Sequence, residues 1–201
     1  MSMLYESFWC IIKIKGRYIM GLDQYLHSTS IPEAFFIEAS KNEDAFNLVV
    51  DGFYYSQDEY NRNTSYAYFR KSWPIDYLIK ENATWQYSDD LCDYCYYISP
   101  ENALKIRDTC IRALRMFKPF HDLTDEEIIQ ADYNKMLDEI VYHYPEGSEN
   151  YCQVIKQLDH ILNISSMCFD LMWEVTSLID IVKLISDERN KGNGLFYIRS
   201  Y

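Results

Sequence analysis

The sequence predicts an α+β fold, a small and mostly antiparallel sheet of N-terminal strands plus one C-terminal strand, packed against a bundle of four or five helices. Three observations lead there. Tyr66, Tyr68 and Arg70 alternate with Ala67, Phe69 and Lys71, the period of an extended strand, and the period changes at Pro74, with Ile75, Leu78 and Ile79 at helical spacing. Most of the second half carries helical stripes behind recognisable helix starts. The chain then closes on Leu195 to Arg199, an apolar extended run that follows the Lys191-Gly192-Asn193-Gly194 turn.

Taken in order, Met1 to Ile19 alternates poorly and reads as an extra N-terminal segment or upstream leader, with one domain spanning residues 20–201. Gly21 to Leu26 is the expected first strand. Ala34 to Glu38 and Ala45 to Phe53 are expected to be further strands, the second placing Phe46, Leu48 and Val50 on one face with Asp51-Gly52 as a turn or bulge signal. Gln57 to Ser65 is polar and reads as a loop, with Tyr54, Tyr55 and Tyr60 beside it. After the Tyr66 strand, Ser72 caps a helix whose first turn accepts Pro74, because a first-turn residue has no N–H partner to lose.

Asn82 to Cys95 is expected to connect that helix to a short extended piece, Tyr96-Tyr97-Ile98. Ser99-Pro100-Glu101 combines a cap, a first-turn proline and an acid at the positive end of the dipole, opening a helix to about Met116. Thr124-Asp125-Glu126-Glu127 is a capping box, and the helix behind it is expected to run until Pro145 and Gly147. Ser148 to Glu188 is helical throughout, with a kink or break expected at Asn163-Ile164-Ser165-Ser166, where propensity is weak.

Composition narrows the function. A net charge of −12 argues against direct nucleic-acid binding, which depends on Lys and Arg displacing counterions. It suits a basic protein partner, and an acidic surface could also mimic nucleic acid, although plain solubility is the commoner reason for such a charge. The 19 tyrosines suit either a hydrogen-bonded core or a contact surface, since each joins an apolar ring to a hydroxyl. The run from Phe8 to Ile14 is short, broken by Lys13 and preceded by Glu6, so it does not read as a secretory signal. The six cysteines are therefore expected as reduced thiols in a cytoplasm, the glycosylation-type triplets at Asn63, Asn82 and Asn163 carry no meaning there, and no apolar run reaches membrane-spanning length.

Met20-Gly21-Leu22-Asp23-Gln24-Tyr25-Leu26, Tyr68-Phe69-Arg70-Lys71, Tyr96-Tyr97-Ile98-Ser99 and Phe196-Tyr197-Ile198-Arg199 together resemble an uncharacterised family of phage and bacterial proteins that typically begin "MGLDMY" and carry a "YWRK" segment. The resemblance spans Met20 to Tyr201 through short motifs. It implies a mobile-element setting rather than a reaction, and it makes Met20 a candidate translation start. Some relatives place a histidine in the helix after that segment, where this chain has Asp76 or Tyr77, so no catalytic histidine carries over.

No constellation points to catalysis. Cys92-Asp93-Tyr94-Cys95 has zinc-ligand spacing but lacks a second pair, and a redox role would want a helix start that comes only at Ser99, so no metal and no cofactor is expected. His27, His121, His143 and His160 are scattered, and no glycine loop could cradle a phosphate. One set remains as a candidate ligand site: Asp23 at the first strand, Arg70 and Lys71 at a strand-to-helix turn, Tyr97 before a helix, and Arg199 in the last strand. If the sheet brings them together, cations and hydroxyls would converge beside a helix N-terminus on an anion. The simpler expectation is that Asp23 and Arg70 form a structural ion pair, with Asp76 a further carboxylate within reach of the turn.

Three functions stay open on this reading. The first is a non-enzymatic, acidic protein-binding protein that engages a host or defence protein through tyrosine-rich surface. The second is a receptor or enzyme for a phosphate-bearing compound at Arg70 and Lys71, and the third is an internal structural protein of a virion. The oligomeric state is open in each case.

Overall fold

The computed structural model of this protein describes residues 11–14, 17–20, 23–60, 66–70, 72–88, 94–162 and 171–200. Its centre is a five-stranded, wholly antiparallel sheet, as the α+β reading expects. The strands are β3 (Asp23–Thr29), β4 (Tyr66–Arg70), β5 (Trp85–Ser88), β6 (Tyr94–Ile98) and β7 (Gly194–Ser200), in spatial order β4-β3-β7-β6-β5. The C-terminal strand β7 thus pairs with both β3 and β6 in the middle of the sheet. Ahead of it, β1 (Ile11–Ile14) and β2 (Arg17–Met20) form a separate hairpin in which Met20 pairs with Ile11, so a boundary drawn between residues 19 and 20 passes through β2.

Two segments expected as strands are helices, α1 (Glu33–Ala39) and α2 (Glu43–Tyr60). The error lies in the period. Phe46, Val49, Val50 and Phe53 stand at i, i+3, i+4 and i+7, and these are the positions that meet the sheet, whereas alternation would have buried Leu48, which is 70% exposed. Asn42 opens α2 with a side-chain oxygen that accepts from the Ala45 amide, followed by two acids in the first turn. Asp51-Gly52 is therefore helical and not a turn, and α2 continues to Tyr60, into the segment expected as a loop.

Residue parity then sorts the sheet into two faces. Leu26, Ala67, Phe69, Tyr96, Ile98, Leu195 and Tyr197 face the larger core, built from α3 (Trp73–Glu81), α4 (Pro100–Leu114), α5 (Asp125–Gln130), α6 (Tyr133–His143), α7 (Glu149–Leu162) and α8 (Leu171–Ser186). Cys95, Tyr97, Phe196 and Ile198 face the other way, under Phe36 of α1 and Phe46 and Val50 of α2. Phe36 stacks on Phe196 with ring centres 4.5 Å apart. The result is a three-layer sandwich, with the expected bundle on one face and the two misread helices on the other.

The predicted helix starts hold in position, although Ser72 at the start of α3 makes no side-chain cap bond, its hydroxyl donating to Glu174 instead. Ser99 accepts from the Asn102 amide, and Thr124 and Glu127 exchange both bonds of the capping box. The helix behind Thr124 does not run unbroken to Pro145: Ala131 turns to an extended backbone and Asp132 caps a new helix, α6, by accepting from the Lys135 amide. The expected break after α7 falls in residues 163–170, outside the described ones, with α7 ending at Leu162 and α8 starting at Leu171. The segment from Asn82 to Cys95 contains β5, which sequence reading passed over. No helix among the described residues is long and apolar enough to cross a membrane.

Candidate functional site

The β4–α3 junction forms as its sequence suggests, but it divides the expected site between the two faces. Asp23 and Arg70 are register partners across β3 and β4, and on their face Tyr68 donates to Asp23 at 2.6 Å. Burial, and then the bond to Asp23, raises the Tyr68 hydroxyl well above its usual range, so it stays protonated and donating. The Arg70 Nε lies 4.0 Å from Asp23, a loose and half-exposed pair of the structural kind expected. Lys71 lies outside the described residues.

Arg199 and Tyr97 do not join them. Arg199 pairs with Tyr94 across β6 and β7, on the face that carries Tyr197 and the helix bundle. It is 5% exposed, its Nη1 is 3.5 Å from Asp76, and its guanidinium lies over the rings of Trp73 and Tyr94. Tyr97 shares the face of Asp23 and Arg70 but is four register positions along the sheet, aligned with His27, and is buried beneath Phe36. The four described residues that looked convergent therefore occupy three places. A single residue of offset within β7 or β6 is enough to send a side chain through the sheet.

Beneath the junction the bundle-side face holds a buried polar network that sequence reading did not find. Gln24 accepts from the Ser72 amide at 2.9 Å and donates to both the Ser72 carbonyl and the Tyr197 hydroxyl. Tyr197 donates in turn to Asp76 at 3.0 Å, and Lys80 reaches the other oxygen of Asp76 at 2.8 Å. Ser72 donates to Glu174 of α8 at 2.5 Å. Burial, reinforced by the negative charge of Asp76, lifts the Tyr197 hydroxyl far above its ordinary range and keeps it neutral. Asp76 thus finds its cations in Arg199 and Lys80, and the network locks α3 and α8 onto β3 and β7.

The same geometry sets aromatic rings at the surface. Trp73 and Tyr77 share the outer face of α3 at i, i+4, both partly exposed. Trp173 directly precedes Glu174, the acceptor of the Ser72 bond, and is 44% exposed on α8, which packs against α3. Tyr68 is 41% exposed on the edge strand beside Arg70.

Elsewhere the described cysteines, Cys95, Cys110 and Cys152, offer no built site. Cys95 and Cys110 are buried, Cys152 is exposed, and Cys92 lies outside the described residues. Among the described residues no cluster of three or more His, Cys, Asp or Glu could hold a metal ion. His121 sits beside Asp122 at the surface, and His143 and His160 lie in the last turns of α6 and α7. His27 is different, being buried on the wall of a cavity. No family model, no curated protein and no solved structure matches this chain.

Proposed function

We propose that this chain is a non-enzymatic binding protein, of phage or mobile-element origin, that engages a host or defence protein with a basic surface. The observation that carries the reading is the α3–α8 corner, where Trp73, Tyr77 and Trp173 are partly exposed on two helices joined by the buried Ser72–Glu174 bond. Trp, Tyr and Arg are the residue types that dominate binding energy at protein interfaces, and rings fixed before association lose little freedom on binding. The body behind them carries a net charge of −12, which would steer a basic partner and repel an acidic one. The resemblance of the Met20 to Leu26 and Tyr68 to Lys71 segments to phage and bacterial proteins supplies the setting.

The alternative, a phosphate-bearing ligand or substrate at Arg70 and Lys71, has less support. Arg199 is neutralised by Asp76 on the other face, and Tyr97 is buried away from the junction.

Affinity capture from bacterial lysate, followed by reconstitution with the purified partner, tests the proposal. One basic protein should bind saturably, with an association rate that falls as salt rises, and Trp73→Ala combined with Trp173→Ala should cost about 2 kcal/mol or more of binding free energy. Equal retention by the double variant, or by an unrelated protein of similar charge, would refute it.

A further inference from the structure

At the end of β3 opposite Asp23, the sheet and the helix pair α1–α2 border an open cavity of about 610 Å³ that plays no part in the corner just described. Its size falls within the range of small-molecule sites. Ile31, Phe35, Val49, Phe53 and Tyr66 supply an apolar and largely aromatic wall.

Two features of that wall are hard to account for as packing. His27 is 3% exposed, yet among the described residues its Nε2 has no hydrogen-bond partner. Its ring is held between Tyr66, stacked at 5.6 Å, and Phe53 at 5.2 Å. A buried polar atom without a partner costs about 1–3 kcal/mol, and a phenyl ring in the same place would have none to satisfy. The second feature is Gly52, inside α2, where glycine costs about 0.5–1 kcal/mol relative to alanine. Its φ is not positive, and a Cβ built there would meet no heavy atom within 4 Å. Among the described residues neither backbone conformation nor close approach explains the missing side chain, and Gly52 stands on the cavity wall.

We propose that this cavity binds a neutral, flat aromatic or heteroaromatic small molecule, its ring between the α2 wall and the β3–β4 face and its one polar edge on His27. Neutrality follows from the charges present. Among the described lining residues the one charged side chain, Arg189, is already paired with Asp187, Nε to Oδ1 at 2.9 Å and Nη2 to Oδ2 at 2.5 Å. Burial lowers His27 to about 4, so its ring carries no charge near neutral pH. Among the described lining residues an anion would find no cation to spare, and a cation no carboxylate.

NMR titration of the full chain near neutral pH, with indole, quinoline and 1-naphthoate as probes, tests this. Indole offers a donor and quinoline an acceptor, so whichever hydrogen His27 Nε2 carries, one of the two should bind with Kd of about 1 mM or tighter, and about tenfold or more tighter than 1-naphthoate. Gly52→Leu fills the cavity from a helical position that prefers leucine, so it should weaken that probe about tenfold or more while the protein unfolds at an unchanged or higher temperature. His27→Phe keeps the ring and should abolish the preference between indole and quinoline. Trp73→Ala should leave probe binding unchanged, which separates this site from the protein-binding corner. Binding of neither neutral probe, binding indifferent to Gly52→Leu, a preference that survives His27→Phe, or equal binding of 1-naphthoate would each overturn the proposal.

Discussion

His27 makes the stability of this protein depend on pH in a way that can be calculated. In the unfolded chain its imidazole titrates at its ordinary value of 6.5, and in the folded protein burial lowers that to about 4. The folded state therefore prefers the neutral ring. The stability this implies is fully present above the unfolded value, is lost as pH falls from 6.5 towards 4, and changes no further below that. Integrated across the whole window the loss approaches about 3 kcal/mol, and between about pH 7.5 and about pH 5.0 it comes to about 2 kcal/mol. Asp180, whose carboxyl is raised by burial despite Lys183 nearby, contributes with the opposite sign.

Substituting His27→Phe isolates the term, because every other group is common to both proteins. Urea unfolding of wild type and variant at the two pH values should show the wild type losing about 2 kcal/mol more than the variant on acidification, whatever their difference at neutral pH. Parallel losses in the two proteins would mean that His27 is solvated or protonated in the folded state. In that case the account of the cavity as a neutral site fails with it.

Gly194→Ala should destabilise the protein by about 1–3 kcal/mol in the same assay. A Cβ there would lie 2.4 Å from the Tyr97 hydroxyl and 2.8 Å from the Ile98 carbonyl oxygen, in the middle of the sheet where backbone has least room to move. Tyr197→Phe removes the hydroxyl that accepts from Gln24 and donates to Asp76, and should cost about 1–3 kcal/mol in denaturant unfolding; a neutral result would mean that the buried network rearranges freely. Thiol labelling with peptide mapping should modify Cys152 rapidly in the folded protein and leave Cys110, buried and with its thiol pushed far above the usual range, unreactive until unfolding. Fast modification of Cys110 would show that the packing of α4 against α8 opens readily.

Sequence by itself determined the local events. The alternation of Tyr66 to Arg70, the Pro74 helix start, the Ser99 cap and the Thr124 capping box depend on residues within a few positions of each other, and each is seen where the pattern puts it. Where two periods competed, the weaker signal misled. Ala34 to Glu38 and Ala45 to Phe53 are rich in aromatic and aliphatic residues that suit strands, and only the i, i+3, i+4, i+7 set of Phe46, Val49, Val50 and Phe53, with Asn42 ahead of it, marks the helix. β5 is four residues long and its burial alternates only between partial and full exposure, so it carries little pattern of its own.

Tertiary structure decided everything that depends on register and on which face a residue takes. Asp23 and Arg70 could be guessed as partners because both flank one junction, but Arg199 and Tyr97 leave them through strand offsets that no local pattern encodes. The same is true of the Gln24–Ser72–Tyr197–Asp76 network, whose members are separated by up to 173 positions in the chain. It is true again of His27 and Gly52, unremarkable where they stand in the sequence, which become the wall of one cavity when α2 lies across the sheet. Short-range hydrogen bonding and periodicity are written into neighbouring residues, whereas the meeting of distant side chains is settled by how strands pair and which helices cover them.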